Sequence, residues 1–547
     1  MSLRQVSRIL GGFLIGFSLT MLLPFFVSIY YRFYSGDVLY ASIEIPMAFI
    51  WSILIGCALG GVLFYMGEKP TQLFYTREII MLVILMWVIS AFIGALPFMF
   101  SKTLDGMHDA YFESMSSLTT TGATAMYPKK FDKDGNNEAI KLSNTNFSPK
   151  DYYFYGTIDP IKDVKGNVIK TGLDAVARSV LLWRSFMAWL GGLGVVFLFV
   201  ACFPLLGIGI RNIFQYDMFG PYVLGLAPKI RESVSRLWKI YIFLTCLCFI
   251  LLKIFAPHVP YFDLACLSFS TISTGGIDVR NAGLAGYKSH GLEWILVFVM
   301  ILGSLNFAMY YYLSRGKTYR LRNPEFFIFF ITLFISAFIL TFVVYGSVYV
   351  SPAGDSKGVV GFGQALREGL FHAVSNMTTT GYRLGSQVEW PWTGQLMMLT
   401  LAFVGGMVGS TTGGLKVSRH YLLFKSAFHR LILFFKPDKV KALKIEKTEV
   451  SPSFVQDILV LFWFVVIVNF VAAFVFAAEG LTLQAAIGTT GSMLTTTGVL
   501  FHTVGDITTT VFLSHFGKLF CCFLMLIGRL EYFIILIVFV PSFWKRA

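Results

Sequence analysis

Thr119-Thr120-Thr121-Gly122, Ser273-Thr274-Gly275-Gly276, Thr378-Thr379-Thr380-Gly381 and Thr495-Thr496-Thr497-Gly498 interrupt an otherwise apolar chain of 547 residues. One such run would read as an ordinary loop end. Four of them, each after an apolar segment too short to cross a bilayer, read as parts of one structure: a dehydrated cation must be surrounded by oxygens from several directions at once. Glycine reaches backbone angles that turn a carbonyl toward a central axis, and it has no side chain to block that axis. The preceding Thr or Ser adds a hydroxyl beside its own carbonyl. We therefore expect ion-binding positions at Thr120, Thr121, Gly122, Ser273, Thr274, Gly275, Thr379, Thr380, Gly381, Thr496, Thr497 and Gly498. None of the four runs holds an acidic residue, so neutral dipoles set the field, which suits a large, weakly hydrated monovalent cation better than Mg²⁺ or Ca²⁺.

Composition places such a pore in a bilayer. The chain is 56% hydrophobic and only 14% charged, too little polar surface for a soluble protein of its length. Its seven cysteines lie in or beside apolar stretches without a C-x-x-C pair, which suggests neither a disulfide framework nor a zinc site. The eight histidines show no ligand spacing. The formal charge of +14 gathers in a few connecting segments and does not imply a nucleic-acid partner. Arg4 and Arg8 precede an apolar run over about 9 to 30 that is longer than a signal-peptide core and has no A-x-A-like site, so a retained helix is expected.

About 20 apolar residues cross a hydrocarbon core. That length predicts ten spans, at about 9 to 31, 42 to 66, 77 to 100, 175 to 210, 236 to 256, 291 to 313, 325 to 350, 392 to 430, 454 to 478 and 512 to 541. Four shorter segments, at about 107 to 120, 260 to 273, 363 to 379 and 482 to 496, each end at one of the Thr-Gly runs. The expected fold is an all-α polytopic membrane protein: two N-terminal helices, then four pseudo-repeated helix–pore-loop–helix units around a central pore. Non-helical backbone at membrane depth is tolerated where it lines a water-filled path. The units are residues 1–72, 73–212, 213–322, 323–447 and 448–547, with an extracytoplasmic insertion at 126–173 in the first pore unit. The turns Asp134-Gly135-Asn136 and Lys165-Gly166-Asn167 predict β-hairpins in that insertion. Asp132, Asp134 and Asn136 have the spacing of a calcium loop but lack its glycine and closing glutamate, and Asn146-Phe147-Ser148 fits a glycosylation sequon. Basic residues in three connections (Arg211 to Lys239, Arg315 to Arg322, Lys425 to Lys447) predict that these face the cytoplasm, with both termini on that side. The same surface would attract anionic membrane lipid.

The span from 392 to 430 is too long for one crossing and carries Gly405-Gly406-Met407-Val408-Gly409-Ser410-Thr411-Thr412-Gly413-Gly414 at its middle. Each interior glycine costs a helix about 1 kcal/mol relative to Ala, so the helix should break there and line a cavity. Arg529 falls near the middle of the last predicted span, where an arginine needs a partner or a cavity. We read Gly409, Ser410, Thr411, Thr412, Gly413, Gly414 and Arg529 as gating residues, the alternatives being a packing face and a structural ion pair with Glu531.

These runs, together with Trp183-Arg184-Ser185, Trp189-Leu190-Gly191-Gly192-Leu193-Gly194, Gly220-Pro221, Leu237-Trp238, Asn306-Phe307, the glycine-rich stretch and Gly528-Arg529-Leu530-Glu531, resemble the Trk/Ktr/HKT superfamily of potassium transporters over nearly the whole chain. The two extra N-terminal helices are similar to the TrkH type. The resemblance implies K⁺ as the transported ion at filter glycines Gly122, Gly275, Gly381 and Gly498, no organic cofactor, an intramembrane gating loop, and residence in the bacterial inner membrane. It further implies a homodimer and a cytosolic TrkA-type nucleotide-binding subunit. The chain itself carries no G-x-G-x-x-G in a βαβ context and no Walker A sequence. Ala188 replaces a frequent Gln, and the insertion is longer than usual. Proton- or sodium-coupled potassium symport, with Glu113 or Asp263 as the coupling carboxylate, and a less selective monovalent cation channel remain as alternatives. A membrane enzyme would need a convergent catalytic set, and neither H-E-x-x-H nor a plausible G-x-S-x-G elbow is present.

Overall fold

A computed structural model describes residues 3–34, 44–68, 76–132, 136–142, 151–163, 167–206, 230–316, 323–350, 357–384, 390–435, 444–445, 448–449, 452–498, 500, 503–504, 507–530 and 532–544. Asp134, Gly135, Lys165, Gly166, the Asn146 sequon, Gly220-Pro221, Glu531 and many of the basic connecting residues, Lys229, Lys439 and Lys441 among them, lie outside the described residues.

Helices dominate. Among the described residues six are long and apolar enough to cross a membrane: Leu3–Phe33, Glu44–Met66, Arg77–Phe100, Ser235–Phe255, Pro324–Val344 and Pro452–Ala478. The helix Pro324–Val344 shows how sequence becomes a membrane wall. Asn323 caps it, its side chain accepting from the Glu325 amide at 3.0 Å, and Pro324 fits the first turn because its missing N–H is not needed there. Phe329, Leu333 and Leu340 are buried on one face, while Phe327, Ile331, Phe334 and Phe338 stay more than half exposed on the other, an apolar face suited to lipid.

Four shorter helices follow the outer ones: Met107–Leu118, Tyr261–Ile272, Phe362–Met377 and Leu483–Thr495. Their C-terminal halves are almost wholly buried, and each stops at a Thr-Gly run. The fourth has its N-cap at Thr482, whose hydroxyl accepts from the Ala485 amide at 3.3 Å.

The helices that lead away from these runs depart from expectation in two places. Arg178–Leu206 is continuous, and the expected break in the glycine-rich stretch is present between Trp392–Val404 and Val417–Phe435. The span expected over 291 to 313, however, is two helices, His290–Ser304 and Phe307–Ser314, bent by 91°. Asn306 permits the bend by capping the second piece, its side chain accepting from the Ala308 amide at 2.8 Å. The last expected span also divides, into His515–Arg529 and Phe533–Phe539, across Tyr532 at a φ of 60°. Arg529 therefore ends a helix; it does not sit at mid-helix as the sequence reading had it.

Among its described residues the insertion contains three two-stranded antiparallel pairs: Lys130–Phe131 with Asn137–Glu138, Ile140–Leu142 with Tyr152–Phe154, and Ile161–Lys162 with Val168–Lys170. It is tied down on two sides. The Tyr152 hydroxyl donates to the Gly480 carbonyl at 2.5 Å and its ring packs on Phe512 at 4.8 Å. Asn281 meanwhile donates to the Thr171 carbonyl at 2.6 Å and accepts from the Leu173 amide at 2.7 Å. Lys129 fixes the base of the insertion between Asp105 at 2.7 Å and Asp159 at 3.1 Å. Burial pulls the Lys129 ammonium down, but these two carboxylates outweigh it and hold the group above its ordinary range.

Candidate functional site

All four short helices end in one hydrogen-bond pattern. The Thr121 amide donates to the Ser116 carbonyl at 2.8 Å, Gly275 to Ser270 at 2.8 Å, Thr380 to Ser375 at 2.9 Å and Thr497 to Ser492 at 2.9 Å. The preceding residues Thr120, Thr274, Thr379 and Thr496 have φ of 56°, 53°, 53° and 51°. Left-handed backbone is a genuine outlier for a β-branched residue and persists only where the surroundings impose it. Those surroundings are visible: hydroxyl pairs Thr119–Thr121, Thr378–Thr380 and Thr495–Thr497 each close at 2.8 Å, and the Ser116 and Ser375 hydroxyls donate to the carbonyls of Ala123 at 2.6 Å and Tyr382 at 2.8 Å.

Shared geometry corrects the register of one run. The residues that follow the donors, Gly122, Gly276, Gly381 and Gly498, have φ of 77°, 58°, 79° and 80°. In the second run the counterpart of Gly122 is thus Gly276, while Gly275 stands where the other runs have Thr121, Thr380 and Thr497. Aligning that run on its first glycine places Ser273, Thr274 and Gly275 one residue early; Ser273 is the counterpart of Thr119. Of the two adjacent glycines, only Gly276 needs the left-handed conformation.

The four runs close into a ring. A Cβ on Gly122 would lie 2.2 Å from the Gly275 carbonyl oxygen, one on Gly276 1.8 Å from that of Thr380, one on Gly381 1.7 Å from that of Thr497, and one on Gly498 2.1 Å from that of Thr121. Each glycine faces the corresponding carbonyl of the next run, and the fourth returns to the first. Sixteen residues widely separated in sequence are thereby brought around one axis.

Two features beside the ring were not read from the sequence. Two residues beyond the glycines, the hydrogen-bond register places Thr124, Asp278 and Arg383 at equivalent positions, so charge stands just outside an uncharged ring. Glu113 is fully buried in an ion pair with Arg184 at 2.6 Å, and its other oxygen accepts from the Thr124 hydroxyl and the Ala125 amide, both at 3.0 Å. This carboxylate anchors the chain past Gly122. Asp263, the other carboxylate singled out, pairs with Arg280 at 2.7 Å.

On the other side of the ring runs the glycine-rich loop. Gly413 donates its amide to the Thr379 hydroxyl at 2.7 Å, and a Cβ there would come within 2.1 Å of the Thr495 carbonyl. The Thr411 hydroxyl donates toward the Ile272 carbonyl at 3.2 Å and the Gly303 carbonyl at 3.0 Å. The loop also accounts for the unexpected bend: the Phe307 amide donates to the Gly409 carbonyl at 3.0 Å, and the Met407 amide to that of Ser304 at 3.1 Å. Ser410 and Thr412 join their hydroxyls at 2.7 Å. Gly405, Gly409 and Gly414 have positive φ, between 70° and 76°, and a Cβ on Gly406 would meet the Thr412 hydroxyl at 2.5 Å, so backbone angle accounts for three of these glycines and close approach for Gly406 and Gly413. Arg529 is buried and donates to the Thr411 carbonyl at 2.8 Å and to the Gly191 and Gly192 carbonyls at 2.6 and 2.7 Å. It joins the loop to the helix Arg178–Leu206.

Several membrane-length helices, four buried re-entrant runs closed into a ring and a loop drawn across one side define a helical membrane protein of the pore-loop class. The comparisons are specific within that class: residues 163–546 match the model of the TrkH family, described as cation transport protein, and the chain belongs to that family. The chain is 28% identical over 551 residues, covering all of both proteins, to "Trk system potassium uptake protein TrkH" of Salmonella typhimurium. It is 23% identical to "Uncharacterized cation transporter MJ1485" of Methanocaldococcus jannaschii, over 99% of this chain and 96% of the other. The fold is similar to the crystal structure of the potassium transporter TrkH from Vibrio parahaemolyticus, with a TM-score of 0.77, 26% identity and full coverage of both chains. The first Thr-Gly run precedes the family match but lies within these full-length similarities.

Proposed function

We propose that this chain takes up potassium across the bacterial cytoplasmic membrane through a filter of four carbonyl-bearing runs, gated by the loop over residues 405–416. The closed ring of glycines and carbonyls carries the reading, since it is the geometry that replaces a hydration shell with oxygens from four sides. Thr120, Thr121, Gly122, Thr274, Gly275, Gly276, Thr379, Thr380, Gly381, Thr496, Thr497 and Gly498 supply the oxygens and the room, with Ser273 supporting them from the helix end. The units over 73–212, 213–322, 323–447 and 448–547 each contribute one run, and 1–72 is peripheral. The names of the relatives above, potassium uptake protein and potassium transporter, support the choice of ion.

The loop and Arg529 supply the closure: a buried positive charge and a backbone strap lie on the same side of the ring. The two carboxylates that the sequence offered for proton-coupled symport, Glu113 and Asp263, are held in ion pairs with Arg184 and Arg280, which disfavours them as coupling groups. A passive or gated pore is therefore preferred. A homodimer, a TrkA-type cytosolic nucleotide-binding subunit, cytoplasmic termini and anionic-lipid contact at the basic face complete the proposal. The test is cation flux into proteoliposomes of the purified chain, comparing K⁺, Rb⁺ and Na⁺ at fixed voltage. Flux of K⁺ and Rb⁺ well above Na⁺ is expected; equal permeation by all three would sink the filter.

A further inference from the structure

Glu325 is a buried carboxylate at the first turn of Pro324–Val344, the end of that helix remote from its pore helix. One of its oxygens accepts from the Val408 amide, in the middle of the glycine-rich loop and 83 residues away in sequence, at 2.8 Å. The Lys416 ammonium is within electrostatic reach and Ser418 within hydrogen-bonding reach, so the same carboxylate also faces the start of Val417–Phe435. Glu325 in the first turn of one helix and Ser418 in the first turn of the next thus meet beside the loop. Lys416 has a φ of 75° and its ammonium donates back to the Thr412 carbonyl and, at 3.2 Å, to the Thr412 hydroxyl. The far end of the loop is thus folded over its own cation beside the Glu325 carboxyl group.

We propose that Glu325 is a positioning residue that, with Arg529, clasps the loop at a second point: the arginine holds the Thr411 carbonyl, the glutamate holds the Val408 amide, and release of either frees the strap between them. This rests on the gated-pore reading for its consequence in transport, but the clasp itself is a statement about loop order. A buried backbone amide that loses its acceptor pays the full desolvation cost of an unmade hydrogen bond. Removing its acceptor also leaves the Val408 amide without its carboxylate partner.

The test uses the full chain in nanodiscs, with hydrogen–deuterium exchange over the peptide containing 405–416 and the peptide containing 119–122 as internal reference. Glu325→Ala should speed exchange in the loop at least tenfold and leave the filter peptide unchanged. Glu325→Asp, which keeps the carboxyl group, should recover most of the protection, and Glu325→Gln, which keeps an amide oxygen as acceptor, should fall between them. Unchanged loop exchange in Glu325→Ala overturns the clasp, as does an equal rise in the filter peptide, which would mean general loosening. Rubidium flux on the same samples separates the two proposals. Faster loop exchange with raised flux supports both; faster loop exchange without any selective flux supports the clasp and removes the pore reading; selective wild-type flux with an unmoved loop in Glu325→Ala removes only the clasp.

Discussion

Arg529→Ala removes three hydrogen bonds from one guanidinium, of which only the 2.8 Å bond to the Thr411 carbonyl joins Arg529 to the loop. The other two, to Gly191 and Gly192 at 2.6 and 2.7 Å, hold the arginine against its neighbouring helix and orient it. A hydrogen bond from a charged group contributes about 1.5–3 kcal/mol. Loss of the loop bond alone should therefore shift the closed-to-open ratio by roughly 10- to 150-fold toward open, taking about 1.4 kcal/mol per tenfold. Flux cannot rise beyond full opening, so the observed gain is smaller if the wild type already opens part of the time. The assay is ⁸⁶Rb⁺ uptake into proteoliposomes, normalised to protein that elutes as a single species. Arg529→Lys distinguishes charge from strap: a lysine keeps the positive barrier but loses the fork that reaches Thr411 and Gly191 together. If the strap governs closure, the lysine variant also leaks; if charge alone blocks the path, it stays shut. Low flux in both variants, with the fold intact, would refute the reasoning and make Arg529 a structural tie.

Arg184→Met leaves Glu113 buried without its cation and should cost about 3–5 kcal/mol, seen as a large drop in thermal unfolding temperature in detergent. Adding Glu113→Gln to it should recover part of the loss, and a wild-type melting point in Arg184→Met would show the pair to be unimportant. The purified chain should bind neither ATP nor NADH in equilibrium titrations, and nucleotide-dependent flux should appear only when the proposed cytosolic nucleotide-binding subunit is added; tight nucleotide binding by the chain alone would contradict this.

The helical pore architecture was legible because its signal is local and repeated: long apolar stretches, short ones that cannot cross, and a Thr-Gly run after each short one. The break at Gly405–Gly414 was legible for the same reason, as glycines crowd where backbone angles are unusual. The bend at Asn306 was hidden because its cause lies elsewhere in the chain: the Phe307 amide is taken up by the Gly409 carbonyl, a partner that local hydropathy does not reveal. Tyr532 hid the second break in the same way, since its positive φ falls in an apolar stretch and its hydroxyl is held by the Leu494 carbonyl at 2.8 Å. Arg529 was recognised as needing a partner, but the Gly191, Gly192 and Thr411 carbonyls that satisfy it come from distant segments. Glu325 carried no signal at all, because a glutamate at the first turn of a helix is ordinary until the loop amide beside it is seen. The slip between Gly275 and Gly276 has a simpler origin: two neighbouring glycines look alike in sequence, and only φ tells them apart.

That slip supplies the most direct test of the central claim. A Cβ on Gly276 would meet the Thr380 carbonyl oxygen at 1.8 Å and force a ring position apart, whereas one on Gly275 would meet the Ala188 side chain at 3.1 Å and point away from the ring. The K⁺/Na⁺ permeability ratio should be measured from flux in proteoliposomes for the wild type, Gly276→Ser and Gly275→Ser. We expect the wild type to favour K⁺, Gly276→Ser to lose at least tenfold of that preference, and Gly275→Ser to keep most of it. A folded Gly276→Ser variant with the wild-type ratio, or a wild type that passes K⁺ and Na⁺ alike, would contradict the account.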